Sequence, residues 1–306
     1  VVTNNKLSAI LADIFVALDQ PGLPAWHRDY RTLRERGLPT RPINALTGEP
    51  YHGTNVPRLW SLMHDDMRYL TFRQALQLCG HVMKGEHGHM LVYWGSSRKE
   101  DENGAVESFR FMKTFAVFHI SQCAGLQLRT PQITPTDPPP AMTEIYAALG
   151  VTVKHFGEMP RYFPGPDFIQ LPDPGAFNSP DAYASTALHE LIHWTMHPSR
   201  LNRIAELTQR FPNDAYAAEE FVAELGAAMM CATLGINCAP QFHASYLAKW
   251  RGLLEKHPQA IVTVSSRAQS AADFLLERIR PKAADNEHPS STHRETSHEH
   301  ERAARA

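Results

Sequence analysis

The chain has 306 residues, 43% of them hydrophobic, with a formal net charge of −2, enough apolar content for a real core in one large or two modest domains. Its four cysteines show no Cys-x-x-Cys spacing, which excludes a zinc knuckle and a disulfide framework. No apolar run approaches the ~18 residues of a membrane span and no signal peptide is apparent, so the expectation is a cytoplasmic protein with no membrane partner.

Residues 6–18 space apolar side chains helically and predict an amphipathic opening helix, stopped by Pro21, Gly22 and Pro24. Trp26 and a run of arginines follow. Residues 38–56 are rich in Pro and Gly and predict extended, turning chain. Short helices are expected over Leu59–Met67 and over Thr71–Leu78, the second with Thr71 as N-cap. Met90–Trp94 and Phe109–Phe118 are aromatic and β-branched, so they predict two strands of a hairpin joined by a polar loop over 96–105.

Five prolines between 126 and 140 mark a stiff linker. The chain then divides into residues 1–128, a Pro-rich linker 129–140, a second domain 141–282, and a tail 283–306 too poor in apolar residues to fold. Residues 1–130 carry 15 Lys/Arg against 12 Asp/Glu, and 131–306 carry 15 against 20, which suits two domains with different partners. In the front domain Trp26, Tyr51 and Trp94 interleave with Arg41, Arg58, Arg73 and Lys84, a composition suited to stacking single-stranded bases along a basic groove. The alternative makes these aromatics core and these cations a solvated surface.

In the back domain a helix over 141–149 precedes strands at 151–156 and 168–171, with Arg161–Asp167 expected as a turn. Phe168–Leu171 is expected to be an edge strand that could receive an extended peptide. Next comes a helix capped by Ser179 and Pro180 that carries His189-Glu190-Leu191-Ile192-His193, an H-E-x-x-H motif. Positions i and i+4 share a helix face, so His189 and His193 can hold one ion while Glu190 reaches a water on it. The helical segment Tyr216–Met230 offers Glu219, Glu220 and Glu224; Glu220 and Glu224 share a face, and Glu219 points about 100° away. Two more helices are expected over Ala244–Glu255 and Ser265–Ile279.

Together these motifs resemble the ArdC-type antirestriction proteins, whose homologues also form the front of plasmid-encoded primases. The residues that carry the resemblance include Asn44-Ala-Leu-Thr-Gly48, Tyr51-His-Gly-Thr-Asn55, Thr71-Phe-Arg-Gln-Ala75, Tyr183 with His189–Thr195, His197–Arg203 and Tyr216–Glu224. His119 and Met196 depart from the family pattern. The resemblance implies an α+β fold with a small α+β domain that binds single-stranded DNA without sequence preference. A mainly helical zincin-like metallopeptidase domain with a small sheet follows it. It further implies protection of incoming plasmid DNA from restriction during conjugation, and a zinc or other divalent ion on His189, His193 and Glu220. The Glu-x-x-Ala-acid pattern of Glu-zincins makes Glu220 the third ligand and Glu224 the acceptor of a histidine N–H. Glu190 is then the general base, with Tyr183 or His197 as oxyanion or substrate contacts. Two rivals stand beside this: a non-catalytic single-strand binder with a structural zinc, and a regulatory peptidase that cuts one host protein.

Overall fold

A computed structural model describes residues 11–16, 18, 25–100, 106–128, 141–238 and 244–279. The proline-rich linker and the tail lie outside these residues, as does part of the opening helix, whose residues 11–16 are helical.

In the front half α1 (Tyr30–Glu35), β1 (Ile43–Asn44), α2 (Asn55–Trp60), β2 (Arg68–Leu70), α3 (Phe72–Gln77), β3 (His81–Val82), β4 (His89–Glu100), β5 (Val106–His119) and β6 (Cys123–Ala124) follow in order. The main sheet has the order β1-β2-β5-β4, with β1 and β2 parallel and the other pairs antiparallel. Thr71 caps α3 in a reciprocal capping box with Gln74, as its position in the sequence predicts. Two expectations shift. The helix expected over Leu59–Met67 lies instead at Asn55–Trp60, because Met63 adopts a left-handed backbone (φ 59°) that stops it. The polar stretch 96–100 continues β4, paired residue by residue with 106–110.

The back half comprises α4 (Met142–Leu149), β7 (Thr152–His155), β8 (Arg161–Phe163), β9 (Phe168–Leu171), α5 (Pro180–Trp194), α6 (Ile204–Arg210), α7 (Ala215–Leu234), α8 (Ala244–Lys256) and α9 (Ala260–Ile279). The small sheet has the order β7-β9-β8. This corrects the expected edge: β9 is central, parallel to β7 and antiparallel to β8, because Arg161–Phe163 pairs with it instead of merely turning. Among the described residues the sheet's edges are β7 and β8, and β8 packs on α5. Past the end of α5, Arg200 donates to the Trp194 carbonyl (2.6 Å) and to Asp167 (2.6 Å), tying that end to the sheet.

Helices α5 and α7 pack closely because Gly226 of α7 has no side chain. A Cβ there would lie 2.8 Å from Cδ1 of Ile192, which is fully buried. The two halves share one buried cluster, in which Trp26 of the front packs 6.0 Å from Phe221 of α7 and Phe221 stacks on Trp250 at 5.0 Å. The front half also caps α7: Arg34 donates to the carbonyls of Thr233 (3.0 Å) and Leu234 (3.1 Å), where a cation suits the helix dipole.

Candidate metal centre

Ser179 accepts from the Ala182 N–H (3.1 Å) with Pro180 in the first turn, and α5 then runs unbroken to Trp194. Every residue from Ala184 to Trp194 is buried, so the motif faces α7 rather than water. His189, His193 and Glu220 offer one donor atom each within 4.8 Å of one another. His189 Nε2 lies 3.6 Å from Glu220 Oε2, and His193 Nε2 lies 3.7 Å from Glu220 Oε1. Those gaps are too long for good hydrogen bonds. They match the roughly 3.3 Å between neighbouring donors that each sit ~2.0–2.1 Å from a tetrahedral ion. Two imidazoles and a carboxylate at this spacing fit a divalent metal.

Behind the donors lies a second layer. His193 Nδ1 donates to Glu219 Oε1 (3.0 Å); since a carboxylate only accepts, one ring proton is held on Nδ1, and Nε2 is the nitrogen left to an ion, which would displace the proton there. Arg203, 2% exposed, grips Glu219 through Nε (2.8 Å) and Nη2 (2.5 Å), and also donates to the Thr195 hydroxyl (2.6 Å) and the Ile192 carbonyl (2.7 Å). Glu224 Oε2 is 4.0 Å from His189 Nδ1, while its Oε1 accepts from Trp26 Nε1 (2.9 Å) and from His27 Nε2. Burial opposes a charge on His193, but the Glu219 and Glu220 carboxylates prevail and its pKa is pushed up to about 10. For Glu220, burial is likewise overcome, and the two facing imidazoles hold its carboxyl far below the usual range.

Glu190 is buried at 6% exposure, and its carboxylate adds to the field that raises His193. The Tyr183 hydroxyl meets those of Tyr146 (3.0 Å) and the His155 ring (2.9 Å), and His197 bonds Ser199 (2.7 Å). Sequence reasoning missed Tyr216. Its hydroxyl lies 3.3 Å from that of Tyr246, and burial, the Tyr246 contact and the nearby Glu220 carboxylate raise its pKa.

The proposed DNA residues separate into two groups. Trp94 (45% exposed), Arg73 and Lys84 lie on the surface. Trp26, Tyr51 and Arg58 do not and leave the candidate set: Trp26 is fully buried on Glu224, Tyr51 is core, and Arg58 is buried against Asp13. Arg41 is mostly buried between the halves, 3.5 Å from the Thr233 hydroxyl. A cleft of about 1200 Å³ opens between the halves, with Tyr93, Trp94 and His52 on one wall and Arg210, Arg267 and Glu206 on the other.

Residues 5–118 match the family model for the N-terminal domain of anti-restriction factor ArdC, and residues 140–267 match that for a zincin-like metallopeptidase. The metal-free crystal structure of the antirestriction protein ArdC from plasmid R388 superposes with a TM-score of 0.74 at 30% identity, covering 90% of this chain and 98% of that one. The chain belongs to the ArdC antirestriction family. The Mn(II)-bound form of the R388 protein matches with a TM-score of 0.70 at 31% identity. Among curated proteins, the Escherichia coli DNA primase TraC is 35% identical over 277 residues, covering 83% of this chain. The chain spans a quarter (25%) of that primase's length. The uncharacterized protein y4eC of Sinorhizobium fredii is 32% identical over 285 residues, covering 88% of this chain and 89% of that protein.

Within this ArdC fold the two departures have local explanations. His119 acts as Asn would at an N-cap, its Nδ1 accepting from the Ser121 N–H (3.2 Å). Met196 is partly buried against the core beyond α5. Among the described residues no helix is long and apolar enough to cross a membrane.

Proposed function

We propose that the chain protects incoming plasmid DNA from restriction by binding single strands with its front half, and that its metal centre holds zinc and hydrolyses a peptide bond. The observation that carries the second part is the gathering of His189, His193 and Glu220, with the buried Glu190 near enough to His193 to act on its charge. Zinc on those three residues would lower the pKa of a bound water toward neutrality. Glu190 receives the proton of the attacking water and returns it to the nitrogen of the leaving amine. Tyr216, whose hydroxyl lies close enough to Glu220 to feel its charge, stands beside Tyr183 and His197 as a donor to the developing oxyanion. The free edge of β8 on α5 can align an extended peptide by main-chain hydrogen bonds.

Support for the DNA half is the exposure of Tyr93 and Trp94 on the hairpin at the cleft, with Arg73 and Lys84 exposed elsewhere on the same half. Stacking on such rings serves any base, which suits binding without sequence preference. Transfer of a plasmid into a restricting host tests the whole reading, with wild type, Glu190→Gln and Trp94→Ala compared. Trp94→Ala is expected to weaken binding of a labelled oligothymidine by roughly 5- to 150-fold, the worth of one stacked base, and to lower protection in proportion. Glu190→Gln should keep its metal and lose peptidase activity. Peptidase activity retained by Glu190→Gln with verified metal content refutes the catalytic role; unchanged single-strand binding by Trp94→Ala refutes the stacking role.

A further inference from the structure

Glu224 stands behind the metal centre, yet two of its hydrogen bonds come from the other half of the molecule. It is 2% exposed, and its Oε1 takes the indole N–H of Trp26 (2.9 Å) and the Nε2–H of His27, residues 198 and 197 positions away. Oε2 of the same carboxylate faces Nδ1 of His189 at 4.0 Å. Trp26 is fully buried, wedged against Phe221 one turn before Glu224 on α7. Both donors lie within the stretch matched by the ArdC N-terminal model, outside the matched metallopeptidase stretch.

We infer that Trp26 and His27 are positioning residues of the metal centre: by fixing the Glu224 carboxylate they orient His189 for the ion, so the site is completed by the front half of the chain. A carboxylate removed from water holds one orientation only if its oxygens are bonded. With Oε1 occupied by two N–H groups, Oε2 is left to the imidazole of His189. Partners in this second layer fix ring orientation and raise ligand basicity, and their loss typically weakens metal binding. Although burial works against a charge on His27, Glu224 holds its pKa up to about 9, which keeps it a donor at neutral pH. Other polar contacts between the halves lie away from the site: Arg34 meets the end of α7, Arg31 pairs with Asp181 near the start of α5, and Gly53 meets Gln269 on α9.

The inference rests on reading His189, His193 and Glu220 as a metal site, though not on that site cutting anything. The test is therefore zinc affinity of the full-length protein, measured by competition with a chromophoric chelator, with no DNA or peptide present. The visible absorption of the cobalt-substituted protein reports ligand geometry separately. Trp26→Phe with His27→Ala removes both donors at the cost of some buried volume; it is expected to weaken zinc binding about 10- to 100-fold and to alter the cobalt spectrum. His27→Gln, which keeps an N–H at similar reach, should bind close to wild type. Arg34→Ala loosens the same interface away from Glu224, so it should lower stability to denaturant and leave zinc affinity and the cobalt spectrum unchanged. Wild-type affinity in the Trp26→Phe/His27→Ala protein overturns the inference, as does an equal loss in Arg34→Ala. A wild-type protein that binds no zinc overturns it together with the metal site, whereas one that binds zinc and cleaves no peptide leaves it standing.

Discussion

Arg203 and Glu219 form a buried ion pair that holds His193, a candidate metal ligand, and its removal is the sharpest test of how the site is built. Arg203 makes four hydrogen bonds from a position 2% exposed, two of them to Glu219, itself 5% exposed. Arg203→Met strips Glu219 of its cation, and Glu219→Gln leaves a guanidinium buried without a counter-charge. Breaking one side of such a pair costs roughly 3–5 kcal/mol, because the partner's desolvation is no longer compensated. For a unit of this size that is a fall in melting temperature of roughly 6–20 °C. The double variant removes both charges, so its cost should fall short of the sum of the single costs by about 2 kcal/mol or more. Calorimetry on metal-free protein, with chelator present throughout, measures all four forms. Single costs under about 1 kcal/mol, or effects that add within about 0.5 kcal/mol, would refute the account of the second layer.

Gly226→Ala carries a sign that separates packing from propensity. Alanine favours a helix by about 1 kcal/mol, yet a Cβ would sit 2.8 Å from the buried Ile192 side chain, and overpacking costs about 1–3 kcal/mol. The melting temperature should fall, and a rise would show that the two helices are not in close contact. Acid sensitivity should trace to His64, whose ring stacks on His119 at 3.8 Å. Burial first, then the charges of His119, His89 and Arg28, push its pKa from 6.5 down to about 4. The unfolded chain takes this proton near 6.5 and the folded chain only near 4, so the stability present above pH 6.5 is lost as pH falls through about 4. His64→Phe keeps the stack and should flatten that slope in urea titrations at pH 7, 5.5 and 4.5; an unchanged slope rejects the assignment.

How much of this was legible in the sequence depends on how local each feature is. His189 and His193 need only a helix to share a face, and Thr71 and Ser179 need only the next turn to act as caps, so these stood out. Glu219 did not, because a helical projection gives its direction around α7 but not where the second nitrogen of His193 points. The imidazole has two ends, and Glu219 serves the one turned away from the ion. Trp26 misled for the opposite reason: a tryptophan beside several arginines suits a nucleic-acid surface, while the acceptor that satisfies its indole lies 198 residues away. Arg161–Phe163 looks like a turn because Pro160, Pro164 and Gly165 flank it, yet three residues suffice for an edge strand, where flanking prolines are tolerated. Sheet order is a long-range property, which is why the centre of the small sheet was mistaken for its rim.

The frame around the two histidines is held by the protein's own bonds: Arg203 locks Glu219, Glu219 locks His193, and Glu224 is bonded from the front half. In small zinc modules the energy of binding is largely consumed in folding the chain. With the donors gathered by these bonds, a bound ion would add to a frame it does not have to build and could exchange without the helices coming apart. A rigid set of two imidazoles and one carboxylate ranks first-row divalent ions mainly by their intrinsic affinities, leaving the choice among them to availability. Occupancy then becomes a record of the cell's metal supply. For a protein whose family is tied to plasmids, that would make the chemistry of this centre depend on the host it arrives in.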